Sequence, residues 1–215
     1  MKRLYYILTA IVLAFSSVQA REYADSAVWQ GWNLKLDLAT PVFELARSKG
    51  NVMSYEGAAS FNLLQRFYPT VEFGYGQGAA SAAGGDFFGR GGYGRVGLDL
   101  SALRKSRVDN MLLIGIRLGT AVQNYSINNV SVSDPYWGEY TMRDFNKQLR
   151  ADVWGEVVAG VQVKVYGSFH MGWYARFRIL FTRKETGLPT AYYIPGYGYR
   201  DETTFGFNYY VGWKF

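Results

Sequence analysis

Alternation is the tightest constraint on this chain. It ends in "TTFGFNYYVGWKF", where every second residue from Phe205 is large: Phe205, Phe207, Tyr209, Val211, Trp213 and Phe215. Gly206, Asn208, Tyr210, Gly212 and Lys214 fill the places between. Successive side chains of a strand point to opposite faces, so the pattern predicts a strand with one greasy face. The same alternation recurs, giving eight candidate strands: roughly Trp29 to Ala39, Met53 to Leu63, Tyr68 to Gly76, Phe88 to Leu100, Met111 to Ala121, Arg150 to Val165, His170 to Phe181, and Thr203 to Phe215. Each holds period 2 for nine or more residues. That exceeds the usual strand of about 5 or 6 and matches the roughly 9 to 11 of a tilted membrane-spanning strand. Aromatics make up 18% of the chain and glycines number 25. With helix formers sparse, these favour an all-β chain.

The first residues are of another kind. "MKRLYYILTAIVLAFSSVQA" opens with Lys2 and Arg3, continues with an apolar run from Leu4 to Phe15, and closes on Val18-Gln19-Ala20. The run is too short for a bilayer-spanning helix of about 20 residues. It reads as a signal peptide, residues 1–20, removed to leave one domain at 21–215. There is no cysteine, so neither a lipidated cysteine nor a disulfide is expected. Without residues 1–20 the chain keeps 21 of its 23 Lys+Arg and all 17 Asp+Glu, a net charge of +4. The basic residues form no stripe or run, so nucleic acid is not an expected partner.

The connections separate the two ends of the predicted strands. "LQRF" and "YGSF" are short and "SALRKSRVDN" somewhat longer. The opposite links are long or glycine-rich: "TPVFELARSKGNV", "GQGAASAAGGDF", about 25 residues from Gln123 to Lys147, and about 20 from Thr182 to Glu202. Short turns on the side of the termini and long loops opposite are the asymmetry of bacterial outer-membrane barrels. A soluble eight-stranded barrel also alternates, with its apolar face inside. Volume discriminates between the two, because eight strands enclose a space just wide enough for side chains. The apolar face is too bulky to fit. The other face carries glycines and Lys35, Asp37, Glu56, Glu72, Arg95, Asp99, Arg117, Glu156, Lys164, Arg176, Arg178 and Lys214. These seven positive and five negative residues are expected to line the lumen as a paired network, since buried charge survives only when compensated. The expectation is an eight-stranded antiparallel up-and-down transmembrane β-barrel. Trp32, Trp173 and Trp213 then fall at the periplasmic rim, with Tyr55 and Tyr75 at the other, as aromatic girdles require.

The final strand resembles the terminal strand of outer-membrane barrels, whose alternating aromatics and last Phe are read by the barrel assembly machinery. The resemblance is carried by Phe205, Phe207, Tyr209, Val211, Trp213 and Phe215. Two longer stretches, "AYYIPGYG…TTFGFNYYVGWKF" and "HMGWYARFR", resemble a family of small outer-membrane β-barrels of Bacteroidetes, OmpA/OmpX-like in having eight strands. That resemblance implies a fold and an outer-membrane location, and carries no activity.

Candidate chemistry is thin. "GRGGYG" (Gly89 to Gly94) matches a dinucleotide fingerprint, but "RVGLDL" after it continues a strand where a helix is required. Glycine permitting a close neighbour in the wall is the better reading. His170 is the only histidine and Ser168 is near it, but both fall at a short turn on the periplasmic side. Glu56, Glu72 and Glu156 could form an acid–base pair, yet the nearby arginines favour salt bridging. Asp134, Glu139 and Asp201 lack the spacing of a calcium loop. Neither a metal nor a cofactor is expected. The long loops "SVSDPYWGEY" and "GLPTAYYIPGYGYRDE" present Tyr136, Trp137, Tyr140, Tyr192, Tyr193, Tyr197 and Tyr199 as candidates for binding an extracellular ligand. The bland alternative is that these rings cap the barrel and pack on one another. The expected role is a non-enzymatic, structural or surface-interaction one for a monomer contacting outer-membrane lipid. A lipid-modifying enzyme using His170, and a small pore, are the alternatives.

Overall fold

A computed structural model describes residues 29–38, 51–63, 66–82, 85–103, 110–133, 140–182 and 190–215. The expected signal peptide lies outside them. Ten strands account for most of the described chain: β1 (Trp29–Asp37), β2 (Val52–Leu63), β3 (Phe67–Ala82), β4 (Gly85–Ser101), β5 (Met111–Ser133), β6 (Tyr140–Tyr166), β7 (Phe169–Leu180), β8 (Tyr193–Ile194), β9 (Gly198–Tyr199) and β10 (Thr203–Lys214). Eight of them close into an antiparallel barrel in the order β1-β10-β7-β6-β5-β4-β3-β2, while β8 and β9 pair separately. The expected all-β, eight-stranded antiparallel barrel is therefore the fold. Closure joins the first strand to the last, from Asn33 opposite Lys214 to Asp37 opposite Tyr210.

Alternation is obeyed along the wall. In β5 every residue from Met111 to Tyr125 switches in strict turn between covered and exposed. Ile116 is 61% exposed and Phe207 58%, whereas Arg117 and Glu156 are 4% and 3%. Apolar side chains face out and charged ones in. The polarity of a soluble barrel is reversed.

Four strands outrun the sequence reading. "GQGAASAAGGDF" is not an open loop: β3 and β4 continue pairing through it, as far as Ala82 opposite Gly85. β5 and β6 likewise absorb most of the expected Gln123–Lys147 loop, pairing out to Ser133 opposite Tyr140. Register shifts near Tyr125, Ile127 and Val130 interrupt this ribbon, and Asn129 there has a φ of 58°. Asn and Gly tolerate that conformation best, and such bulges re-aim a strand pair. β7 begins at Phe169, which puts Trp173 four residues inside the strand rather than at its opening. Trp32 and Trp213 do lie at the turn end, where Trp32 stacks on Phe215 at 4.8 Å and Trp213 meets Phe169 at 5.2 Å. Tyr55 and Tyr75 are exposed and directly paired across β2 and β3.

The lumen is fuller than charges and glycines alone would make it. Towards the turn end Tyr68, Met111, Leu113, Val158, Tyr174 and Tyr210 pack together. Towards the loop end Tyr93, Ala121, Trp154, Ile194 and Tyr197 form a second cluster, and Val52, Phe87, Tyr125, Ile127, Ala191 and Tyr193 a third. Inward glycines create the room. A Cβ on Gly74, Gly119 or Gly160 would lie 2.2 Å from the Tyr93 ring, 2.4 Å from Trp154 and 2.4 Å from Tyr174 respectively. Large rings facing glycines are how a narrow barrel reaches close packing.

Candidate functional site

Register places the lumen charges. Glu72 on β3 is directly opposite Arg95 on β4, Arg117 on β5 opposite Glu156 on β6, and Glu156 opposite Arg178 on β7. Direct cross-strand neighbours of opposite charge attract, and the curvature of the barrel lets the longer side chains meet at its centre. Arg95 Nη1 donates to Glu56 at 2.6 Å and Glu72 at 2.9 Å, and its Nε lies 2.9 Å from Glu156. Arg176 donates through Nη1 to Glu72 (2.8 Å) and Glu156 (2.9 Å), and through Nη2 to Glu72 (3.1 Å) and the Tyr210 hydroxyl (2.5 Å). Arg117 binds Glu72 at 3.1 Å and Asp99 at 2.7 Å. Arg178 completes the set, 3.4 Å from Glu156.

Eight of the expected lumen charges thus meet in one cluster, four arginines against Glu56, Glu72, Asp99 and Glu156. The formal sum is zero, which is what a sealed interior demands. Neutral donors take up remaining carboxylate lone pairs: Tyr93 to Glu56 at 2.8 Å, Trp154 Nε1 to Glu156 at 2.6 Å, and Tyr210 to Glu56 through a very short bond. Lys35 and Asp37 are also buried, but Lys35 donates to the Tyr174 hydroxyl at 2.9 Å and Asp37 accepts from Asn208. Lys164 and Lys214 are half-buried near the turn end. Glu56, Glu72, Asp99 and Glu156 are each held by one or more arginines.

A second ionic group had escaped the sequence reading. Asp152 accepts from Arg150 at 3.1 Å and from Arg200 at 2.6 Å, and Arg200 also holds the Ala191 carbonyl at 2.9 Å. Arg150 and Asp152 share the inward parity of Trp154 and Glu156, a signal already present in the strand expected from Arg150 to Val165.

Above the central cluster, residues 193–199 fold into the mouth. Ala191, Ile194 and Tyr197 have no exposed surface. Arg95 donates to the Gly196 carbonyl at 2.6 Å and Arg178 to the Tyr197 carbonyl at 3.0 Å. Tyr197 packs edge-on against Trp154 at 5.7 Å and its hydroxyl donates to the Asp201 carbonyl at 2.6 Å. Burial pushes that phenol above its ordinary pKa. Tyr193 and Tyr197, two of the candidate binding rings, are both buried in the packing of the mouth. Tyr192 and Tyr199 remain exposed and meet each other edge-on at 5.3 Å. Tyr140 opens β6. Tyr136, Trp137, Asp134 and Glu139 lie outside the described residues.

The other sequence candidates resolve as follows. His170 is buried near the β6–β7 turn, its Nδ1 2.8 Å from the Ser168 carbonyl. A carbonyl only accepts, so Nδ1 carries the proton. "GRGGYG" lies within β4, and a Cβ on Gly91 would strike the Val122 carbonyl at 2.2 Å, so glycine serves close strand approach. On the last strand Phe205, Phe207, Trp213 and Phe215 are exposed and Tyr209 half-exposed, while Val211 is covered, opposite Leu36 and Met171. Phe215 also exchanges backbone hydrogen bonds with Trp32, at 3.1 and 2.9 Å.

The chain is thus a closed eight-stranded antiparallel β-barrel whose lumen is filled by a neutral ion cluster under an inserted hairpin. Over residues 3–214 it matches the family described as a domain of unknown function, DUF6048, and it belongs to that family. No curated protein and no solved structure matches it.

Proposed function

We propose that this protein is an OmpA/OmpX-like outer-membrane barrel with a structural or surface-interaction role, non-enzymatic and needing no cofactor. One observation carries the reading: the outer wall is a continuous belt of exposed Leu, Ile, Val, Phe, Tyr and Trp, while ionic side chains are sealed inside. A belt of that size on a single chain in water would be an aggregation surface. In a bilayer it is the lipid-facing wall, and a closed barrel leaves no strand edge unsatisfied in hydrocarbon. The sealed lumen supports a scaffold over a pore. Export by the signal peptide at residues 1–20 would deliver the chain. Its loop end would then present Tyr192, Tyr199 and the β5–β6 ribbon to an extracellular ligand. As a monomer, its other partners would be outer-membrane lipid and the barrel assembly machinery.

The test is fractionation of the producing cells followed by electrophoresis with and without boiling. The expected result is recovery with the outer membrane and a faster-migrating unboiled form. Recovery in the soluble fraction with no shift on boiling would overturn the reading.

The assembly role of the terminal residue is separable from its packing. Phe215→Ala removes the stack on Trp32, a loss of about 0.5–1.5 kcal/mol beyond burial, and leaves the backbone bonds in place. Refolding into detergent micelles in vitro is expected to be nearly unimpaired, whereas the folded yield in cells falls sharply. Equal losses in both settings would make Phe215 a packing residue only.

A further inference from the structure

Lys35 reaches inside the lumen across the seam between the first and last strands. Its direct partner on β10 is Gly212, and Gly212 is in turn opposite His170 on β7. A Cβ on Gly212 would lie 3.2 Å from the Lys35 Cγ, so the lysine stem crosses β10 over a glycine. The ammonium then donates to the Tyr174 hydroxyl on β7 at 2.9 Å and stands 5.2 Å from the centre of that ring. An ammonium carries three N–H groups. Among the described residues the Tyr174 hydroxyl is the acceptor it meets, and no carboxylate pairs with it. Two residues earlier on the same face, Asn33 is 3% exposed and its Oδ1 has no hydrogen-bond partner among the described residues. Ser60, directly opposite Asn33 on β2 and fully covered, has an unpartnered hydroxyl as well. Lys35 and Asn33 both line a cavity of about 10 Å³, walled also by Gln162, Tyr174 and Gly212.

We propose that this cavity binds one internal water molecule, which accepts from the Lys35 ammonium and donates to Asn33 Oδ1. Size and polarity both select water. A polar cavity of roughly 10–15 Å³ holds a single water when it offers two to four polar partners. A cation there would be repelled by Lys35, and an anion would face the Asn33 oxygen. Water alone accepts on one side and donates on the other. It meets two needs at once, since a buried charge and a buried carbonyl are each costly until their hydrogen bonds are made. Lys35 joins β1 to β7 over the top of β10, so the bridging water ties Asn33 into the same link and steadies the seam at which the barrel closes. The site depends neither on a surrounding bilayer nor on the loop end.

Brief X-ray exposure turns water into hydroxyl radicals in place, so a buried ring beside a bound water is oxidised while an equally buried dry ring is spared. The full chain is refolded in detergent micelles, exposed, and its oxidation read residue by residue by mass spectrometry. Tyr174 lines the cavity and is 3% exposed. Tyr125, 5% exposed in the apolar cluster with Phe87, is the dry reference. The expected result is that Tyr174 is oxidised several-fold faster than Tyr125 in the wild-type barrel. In Asn33→Leu, which keeps the shape of the side chain and removes the acceptor, Tyr174 should fall to the rate of Tyr125. The compact unboiled band of that variant should also disappear at a lower temperature than that of wild type. Equal rates at the two tyrosines of the wild-type barrel would overturn the site, and this comparison decides alone if Asn33→Leu does not fold. An Asn33→Leu barrel at least as stable as wild type would overturn it too, because deleting an oxygen with no partner relieves the cost of burying it.

Discussion

Arg176→Met is expected to destabilise the barrel by about 3–5 kcal/mol, the cost of stranding a buried charge by removing its partner. Arg176 is the hub of the lumen: its guanidinium reaches Glu56, Glu72, Glu156 and Tyr210 at once. Methionine is close in size and fills most of the space, so the loss is electrostatic rather than a cavity. The cluster then holds three arginines against four carboxylates, and Glu72 keeps only Arg95 and Arg117. The measurement is the temperature at which the compact unboiled band disappears in detergent. Arg176→Met should lower it markedly, and adding Glu72→Gln should recover a large part, because that change returns the sum of charges to zero. Neighbours in one network are not additive, so the recovery itself measures their coupling. Salt should barely move either midpoint, since buried pairs are poorly screened. A loss below about 1 kcal/mol, the scale of a solvated surface pair, would mean that the lumen is wet.

The amount of this that could be read from residues alone divides along physical lines. Met111 to Ala121 announces itself because β-branched and aliphatic residues alternate with Arg117 and glycines, and the structure keeps that alternation to Tyr125. The inside-out polarity followed from volume. The hidden parts are those where alternation is silent. "GAASAAGG" has no large residue on either face, so nothing marks it as strand. Its smallness is dictated by what lies over it: a Cβ on Gly78 would come within 2.7 Å of the Tyr193 ring. That ring belongs to a loop about 115 residues later. The plug was invisible for a related reason, since "YYIPGYGY" has no period and its glycines fit an open loop as well as a buried hairpin. Charges were identified as lumenal from parity, but which carboxylate meets which arginine depends on register. Glu72 faces Arg95 only because β3 and β4 pair without a shift from Phe67 to Ala82. Arg150 and Asp152 have inward parity within the expected strand from Arg150, but their partner Arg200 comes from the plug loop, whose return over the mouth no alternation marks.

Gly196→Val should release the plug, and the neighbouring Gly198→Val should not. Both glycines have positive φ, 76° and 109°, so valine at either strains the backbone by about 1–2 kcal/mol. Only at Gly196 is there also a collision. A Cβ there would lie 2.4 to 2.8 Å from three atoms of the Tyr93 ring, whereas Gly198 has nothing within 4 Å. Tyr93 cannot yield cheaply, because it is buried, donates to Glu56 at 2.8 Å and carries the Arg95 guanidinium over its ring at 4.8 Å. Displacing it leaves a buried carboxylate short of a donor, a further cost of about 1–3 kcal/mol. The plug is the element that can move instead. Undocking forfeits the Arg95 bond to the Gly196 carbonyl, the Tyr197 contact with Trp154 and the Arg200 pair with Asp152. Arg200 supplies the readout, since trypsin cuts after arginine only when the segment can enter its active site. Wild type and Gly198→Val should resist cleavage after Arg200, while Gly196→Val is cut there with the barrel otherwise intact. Equal cutting of both variants would trace the effect to backbone strain alone, and no cutting of Gly196→Val would mean that Tyr93, not the hairpin, is the part that gives way.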